Sequence, residues 1–269
     1  MKINSQKNKI GIVGSHGMVG SCVRKWFEGR GKVYCYDKGK NIGSAEEVNK
    51  ADIIFVAVPT PYKNEGYDLS ILEETIAKIP DGKIVVIKST VNPGTTDAFQ
   101  TKYPNKKFIF NPEFLTELSA EKDFQNPDMQ ILGVSKESYN LATKIMLMLP
   151  PAPIMRVVSL IDAEWIKKIR NAFYATKIVF FNQIYDIIQK SEPADYETIR
   201  SIVIKDPRIG NSHSFIYHKG GRGGGGKCLP KDLKSLLGFA KTKNVNTRFL
   251  SMVNKLNEEY LKKYPKNYE

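Results

Sequence analysis

The segment from Lys9 to Asp37 narrows the folds open to this chain more than any other. Lys9-Ile10-Gly11-Ile12-Val13 is a short apolar run of buried-strand type, and it leads directly into Gly14-Ser15-His16-Gly17-Met18-Val19-Gly20. Val19, Val23, Trp26 and Phe27 then form the apolar face of a helix that Gly29 is placed to end, and Lys32-Val33-Tyr34-Cys35-Tyr36 is a second strand closed by Asp37. Strand, glycine turn, helix, strand, acid is the order of a dinucleotide-binding unit. In such a unit the helix N-terminus receives a pyrophosphate and the acid accepts hydrogen bonds from a ribose. The spacing Gly-x-x-Gly-x-x-Gly is one residue longer than the commoner form, so the neighbouring elements carry the inference rather than the motif alone. Gly14, Gly17, Gly20, Met18, Val19 and Asp37 are the expected dinucleotide contacts. Asp37, in place of an arginine beside a small residue, favours NAD, while Lys38 and Lys40 leave NADP open.

The pattern continues through Asp52–Val58, Ile84–Lys88 and Lys107–Phe110, three continuous apolar strands of the kind buried on both faces in a parallel sheet. They end in the polar, proline-marked loops Pro59-Thr60-Pro61, Ser89-Thr90-Val91-Asn92-Pro93-Gly94-Thr95 and Asn111-Pro112-Glu113-Phe114-Leu115-Thr116-Glu117. In a doubly wound sheet such ends open on one side, where ligands bind. Glu113 and Glu117 stand four apart, the spacing that puts two acids on one helical face, and one of them is a candidate base. A further strand from about Met129, a helix, and Ile154–Val158 complete the sheet. From Asp162 to Gln189 there is no Gly or Pro, which predicts one helix of roughly seven to eight turns. Trp165, Ile169, Phe173 and Phe180 are among its apolar positions, and Lys167 and Asn171 share one face. The expected architecture is α/β: a Rossmann-like doubly wound sheet over residues 1–159, then an all-helical domain over 160–269 built on the long helix.

A second landmark is Gly220-Gly221-Arg222-Gly223-Gly224-Gly225-Gly226-Lys227-Cys228-Leu229-Pro230-Lys231-Asp232. Pro230 and Asp232 suit the first turn of a helix, so Cys228 stands at a helix mouth, where backbone N–H groups and the flanking lysines favour a thiolate. A reactive cysteine follows. The glycines, with Arg222 as counter-charge, suit a loop wrapped around phosphate oxygens. A glycine run is equally a common form of flexible linker, and a lone cysteine is often only a small apolar residue.

The chain has 269 residues, and 41 Lys and Arg against 28 Asp and Glu give a net charge of +13. The lysines are scattered rather than blocked, so small anionic ligands fit better than nucleic acid or a membrane face. No apolar run reaches membrane-spanning length and Met1–Lys7 lacks a signal-peptide core. The three cysteines have no metal-ligand spacing, and the expected setting is cytoplasmic.

Taken together, Val58-Pro59-Thr60-Pro61, Lys88-Ser89-Thr90-Val91, Asn111-Pro112-Glu113-Phe114-Leu115, Ala163-Glu164-x-x-Lys167-x-x-x-Asn171-Ala172-Phe173-x-Ala175-x-Lys177, Asp206-x-Arg208-Ile209-Gly210 and Gly225-Gly226-x-Cys228-x-Pro230-Lys231-Asp232 resemble the nucleotide-sugar 6-dehydrogenases, the UDP-glucose/GDP-mannose dehydrogenase family. The segments occur in the family's order across nearly the whole chain. The resemblance implies a four-electron oxidation of a sugar C6 alcohol, expected to be that of UDP-glucose, to a carboxylate with two NAD in turn. It implies that Cys228 forms a thiohemiacetal and then a thioester, that Lys167 and Asn171 stabilise an oxyanion, that Asp232 and Thr90 position water, and that Glu117 serves in acid–base chemistry. It further assigns Pro59, Thr60, Thr90 and Lys231 to the cofactor, and Glu113, Phe114, Leu115, Lys167, Asn171, Arg208, Gly225 and Gly226 to the nucleotide sugar. Arg208 is implied to reach a substrate in the other subunit, hence a homodimer packed on the long helix.

The sequence departs from the family in having Gly224 where an aromatic usually precedes the paired glycines, in a longer stretch between Arg208 and Cys228, and in the longer first glycine motif. Family members also carry a second Rossmann-like domain beyond the middle helices. A compact enzyme, a partner chain that supplies that half, and a chain without activity are the three alternatives. Two other functions stand beside the main one: a two-electron β-hydroxyacid dehydrogenase, which needs no cysteine, and a non-catalytic NAD- or nucleotide-sugar-binding protein that modulates a partner.

Overall fold

The computed structural model describes residues 9–63, 66–226 and 228–266. Its elements in chain order are β1 (Lys9–Val13), α1 (Met18–Phe27), β2 (Lys32–Tyr36), α2 (Ala45–Val48), β3 (Ile53–Val56), β4 (Tyr62–Lys63), β5 (Gly66–Tyr67), α3 (Ser70–Lys78), β6 (Ile84–Ile87), α4 (Thr95–Lys102), β7 (Lys107–Phe110), α5 (Ala120–Gln125), β8 (Met129–Val134), α6 (Ala142–Met148), β9 (Ile154–Ser159), α7 (Leu160–Ile188), α8 (Tyr196–Val203), α9 (Leu229–Thr242) and α10 (Arg248–Lys263). β4 and β5 make a two-stranded sheet of their own. The other seven strands form one sheet in the order β2-β1-β3-β6-β7-β8-β9. Only β7 and β8 pair antiparallel; every other neighbouring pair is parallel.

The apolar strands explain the layering. Each residue of Ile53-Ile54-Phe55-Val56 is fully buried. Ile53 and Phe55 face a cluster with Ile10, Ile12, Val23 and Phe27, whereas Ile54 and Val56 face the opposite one with Leu72, Ile76, Val85, Ile87 and the α7 residues Leu160 and Ala163. A sheet covered on both faces has no position for a polar alternation, and none is present in β3 or β6. The sheet reverses its winding between β1 and β3, which places the ligand side at the carboxyl ends of those strands. This is the expected α/β class with its long helix.

The chain divides into two compact units, Met1–Pro61 with Tyr67–Lys167, and Tyr62–Gly66 with Lys168–Glu269. The first holds the large sheet. The second is mainly helical, containing most of α7 with α8, α9 and α10, and a small core of Phe181, Tyr196 and Ile216. In the first unit the structure corrects one expectation: residues 111–116 are irregular, 117–119 form a turn and α5 begins only at Ala120, so Glu113 and Glu117 share no helical face. Pro112 disfavours helix for Asn111 before it, and Glu113 is buried while Glu117 is exposed.

Candidate active site

The glycine turn after β1 is shaped for close backbone approach. Gly14 has φ +76°, and a Cβ there would lie 2.3 Å from the Ala57 carbonyl oxygen; a Cβ on Gly20 would lie 1.9 Å from the Gly14 oxygen. Gly14 lets the turn approach the backbone after β3, and Gly20 lets α1 pack against the turn. Gly17, the N-cap, has only the Gly14 oxygen near a hypothetical Cβ, at 3.5 Å, and no side chain caps the helix. The first amides of α1, from Met18 and Val19, therefore have no side-chain acceptor, as a pyrophosphate site requires. Asp37 closes β2; its carboxylate accepts from the His16 amide at 2.9 Å and from the Lys40 amide at 3.1 Å. Those bonds fix the acid and leave acceptor capacity for ribose hydroxyls. The turn fits a dinucleotide. Thr60 donates to the Thr90 carbonyl at 2.7 Å, which ties the loop after β3, with Pro59, to the loop after β6.

Beyond these loops the first unit holds a buried polar cluster. Lys88 follows the apolar β6, and its Nζ donates to the backbone and side-chain oxygens of Asn111 at 3.3 and 2.7 Å. Asn111 in turn donates to the Ile131 carbonyl at 2.8 Å, so the start of the 111–116 segment is held from two strands. Two residues on, Glu113 accepts from Lys167 Nζ at 2.7 Å, and its backbone oxygen accepts from the same ammonium at 2.8 Å. The other Glu113 oxygen takes the Leu115 amide at 2.8 Å, and Lys167 lies 5.9 Å from the Phe114 ring centre. Burial alone would raise the Glu113 carboxyl, but the Lys167 ammonium and its hydrogen bond outweigh it and hold the group below its ordinary value. Burial pushes Lys88 from 10.5 down to about 8, against the pull of Glu113.

One turn before Lys167, Glu164 is fully buried and caps α4 from across the fold. It accepts from the Gly94 amide at 2.6 Å, the Thr96 amide at 2.9 Å and the Thr96 hydroxyl at 2.6 Å. Burial raises its carboxyl from 4.5 to about 7, with the three donors opposing. Sequence reasoning gave neither Lys88 nor Glu164 a role, although a lysine directly after an all-apolar strand and an acid among buried helix positions are the available signals.

In the second unit Cys228 is the N-cap residue of α9, with Pro230 in the first turn, as the sequence predicts. The Asp232 amide donates to the Cys228 carbonyl at 2.9 Å, and the buried Asp232 carboxylate accepts from Asn171 Nδ2 at 2.5 Å. Lys231 Nζ stands 3.8 Å from the other Asp232 oxygen. The structure thus joins Asn171, Asp232 and the Cys228 backbone in one hydrogen-bonded group. Arg208 is exposed and forms a fork with Asp206 in its own loop, at 2.9 and 2.6 Å. Arg222 corrects the sequence reading: it is buried at 2 % exposure and bonded to Asn182 and Asp186, so it is not the counter-charge of a phosphate loop. Nor is the loop a free linker. Gly225 and Gly226 end it, the latter at φ +77°.

Comparison with known proteins agrees with this geometry. Residues 36–147 match the NAD binding domain of the UDP-glucose/GDP-mannose dehydrogenase family, and residues 161–259 match its central domain. The chain belongs to the UDP-glucose/GDP-mannose dehydrogenase family. Its β1–glycine turn lies ahead of the matched region, and the cofactor of the matched domain is NAD. A UDP-glucose 6-dehydrogenase of Rickettsia bellii is 35% identical over 225 residues, 80% of this chain and 51% of that protein. One of Pseudomonas aeruginosa is 34% identical over 230 residues, 78% of this chain and 49% of that protein. The chain spans about half the length of the curated relatives it matches. The solved UDP-glucose dehydrogenase of Pyrobaculum islandicum superposes with a TM-score of 0.83 at 26% identity, covering 96% of this chain and 70% of that one. A 3-hydroxyisobutyrate dehydrogenase of Mycobacterium tuberculosis shares the fold, with a TM-score of 0.76 at 11% identity and coverage of 95% and 94%. No helix among the described residues is long and apolar enough to cross a membrane.

Proposed function

We propose that this member of the family is an NAD-dependent nucleotide-sugar 6-dehydrogenase that oxidises UDP-glucose at C6 to the carboxylate by way of a cysteine thioester. The observation that carries the reading is the buried Asn171–Asp232 hydrogen bond one turn into α9 from its N-cap residue Cys228. A two-electron alcohol oxidation has no use for a cysteine there. A four-electron oxidation gains from a nucleophile that holds the aldehyde carbon for its second oxidation.

NAD, when bound, supplies the hydride acceptor for each two-electron step. In this proposal the Cys228 thiolate adds to the C6 aldehyde and forms the S–C bond of a thiohemiacetal. Loss of hydride and proton gives the thioester, and water cleaves the S–C bond to release the carboxylate and regenerate the thiol. Lys167 and Asn171 stabilise the oxyanion; Glu113 and the Glu113 carbonyl take two of the three Lys167 N–H donors, leaving one for a substrate oxygen. Asp232 and Thr90 orient the water, Glu117 takes part in proton transfer, and Phe114, Leu115, Arg208, Gly225 and Gly226 belong to the sugar-nucleotide side. The exposed Ile169, Phe173, Phe180 and Ile187 on α7 support a homodimer through that helix.

The test is the number of NADH formed per UDP-glucose consumed by the purified chain, beside Cys228→Ser. Two NADH per sugar, with the variant stalled, is expected. An NAD-binding protein that makes no NADH from UDP-glucose or from a panel of nucleotide sugars overturns the proposal. A second, two-electron reading stands beside it, since the same fold occurs in a 3-hydroxyisobutyrate dehydrogenase. One NADH per substrate, insensitive to Cys228→Ser, would select it.

A further inference from the structure

Residues 220–226 are six glycines and one arginine. Glycine loses more backbone freedom on ordering than any other residue, so a run of six cannot hold its own shape. The one side chain in the run is Arg222, and it is among the largest fully buried side chains of the molecule. Its Nε donates to Asn182 Oδ1 at 2.9 Å, and its Nη2 donates to the Asn182 carbonyl at 3.1 Å and pairs with Asp186 Oδ1 at 2.8 Å. The guanidinium also lies 4.6, 4.8 and 4.9 Å from the ring centres of Tyr264, Tyr260 and Tyr185. Tyr260 donates to the second Asp186 oxygen at 2.8 Å, so the acid is itself held in place.

The flanking backbone is fitted to the same anchor. The Arg222 amide donates to the Tyr264 carbonyl at 3.1 Å, and Gly221 packs so closely there that a Cβ would lie 2.5 Å from the Pro265 oxygen. Gly223 has φ +84°, and the buried Asn257 side chain bonds both backbone groups of Gly224, at 2.6 and 2.9 Å. Every one of these contacts is made between groups of the chain itself, within the second unit. A planar fork that stacks on rings while pairing with a carboxylate is a task only arginine performs.

We propose that Arg222 is a positioning residue that presets the glycine loop, and with it the place of Cys228 at the head of α9, before any ligand binds. The significance for catalysis rests on Cys228 being the nucleophile proposed above; the anchoring itself does not. The test uses the full chain and two readouts: backbone amide exchange of the loop peptide, and the rate at which iodoacetamide labels Cys228, followed by peptide mass. Cys22, buried and donating to the Met18 carbonyl, and Cys35 are internal references in the first unit.

Arg222→Met should raise both rates roughly tenfold or more, because the loop loses its ion pair and fork at once. Exchange in α7 and in the later turns of α9 should stay at wild-type values. Arg222→Lys, which keeps the charge without the fork or the stacking, should fall between. A folded Met variant with wild-type loop exchange and labelling overturns the proposal, as does an equal rise throughout the second unit, which would mark general structural support. If Arg222→Met does not fold, Tyr264→Leu removes one stacking face and should give a smaller rise confined to the same loop; no local rise there also overturns the proposal. Failure of the functional reading shows separately, as absent NADH formation in a protein whose labelling still responds to Arg222.

Discussion

Glu164→Gln offers a prediction whose sign and size follow from the structure. Glu164 is buried at 0% exposure, and its carboxyl stands at about 7 when folded against an ordinary 4.5. A carboxyl raised on folding binds its proton more tightly in the native state, so it stabilises the fold fully below pH 4.5 and loses that contribution as pH rises through 7. The full shift is worth roughly 3 kcal/mol, of which about 2.4 kcal/mol falls between pH 5 and 7.5. Total stability will not display this directly. His213, stacked on Tyr174, is lowered by burial from 6.5 to about 4, and a depressed imidazole makes stability rise over much of the same interval. The useful quantity is therefore the difference between wild type and Glu164→Gln in urea unfolding at each pH, from which His213 cancels. That difference should move against the wild type by about 2.4 kcal/mol from pH 5 to 7.5, and the Glu164 carboxyl should titrate near 7 by carbon NMR. A flat difference refutes the reasoning. A difference that moves toward the wild type would mean that the Gly94 and Thr96 donors outweigh burial and that Glu164 is an ionised cap.

Three further outcomes follow. Lys167→Met leaves Glu113 buried without its cation, so the variant should lose about 3–5 kcal/mol in denaturant unfolding and the Glu113 carboxyl should rise above its ordinary value; a cost under about 1 kcal/mol would show the pair to be solvated. Gly20→Ala puts a Cβ 1.9 Å from the Gly14 oxygen, so NAD affinity by calorimetry should fall and stability should drop by about 1–3 kcal/mol. Lys88, depressed to about 8 from 10.5, makes stability rise with pH across that window, and Lys88→Met should abolish the rise in unfolding experiments at alkaline pH.

The sheet was legible in the sequence because its signals are local. A strand buried on both faces is apolar at every position, and Ile53–Val56 and Ile84–Ile87 are unbroken runs of such residues. The same is true of Cys228 at the head of α9, where Pro230 and Asp232 mark the first turn. What was not legible depends on partners far along the chain. Glu164 had no assigned role because the amide it caps at Gly94 is 70 residues away, and Arg222 looked like a phosphate ligand because Asn182 is 40 residues away. The pairing of Glu113 with Glu117 failed for a local reason: four-residue spacing means a shared face only inside a helix, and Asn111-Pro112 starts an irregular segment that Lys88 holds in place.

Of the apolar positions read on the long helix, Ile169, Phe173 and Phe180 are exposed. α7 departs from an ordinary surface helix: beside the buried Leu160, Ala163, Ala172, Ala175, Val179 and Phe181 it buries polar side chains, and it leaves large apolar ones exposed. Within the first unit it directs Glu164 and Lys167 to buried partners, and within the second it directs Asn171 and Asn182 to theirs. The large apolar residues it exposes most are Ile169, Phe173, Phe180 and Ile187, each at least 55% accessible. A polar inner face is tolerable because its groups are hydrogen-bonded; an apolar outer face of this length has no such compensation in water. In the proposed dimer that stripe is the contact, so Phe173→Glu with Phe180→Glu should convert the protein to monomer in sedimentation without altering the pH-dependent unfolding assigned to Glu164, which lies on the opposite face. If the double variant sediments like the wild type, the stripe is not what joins two copies, and its exposure must be explained by some other covering.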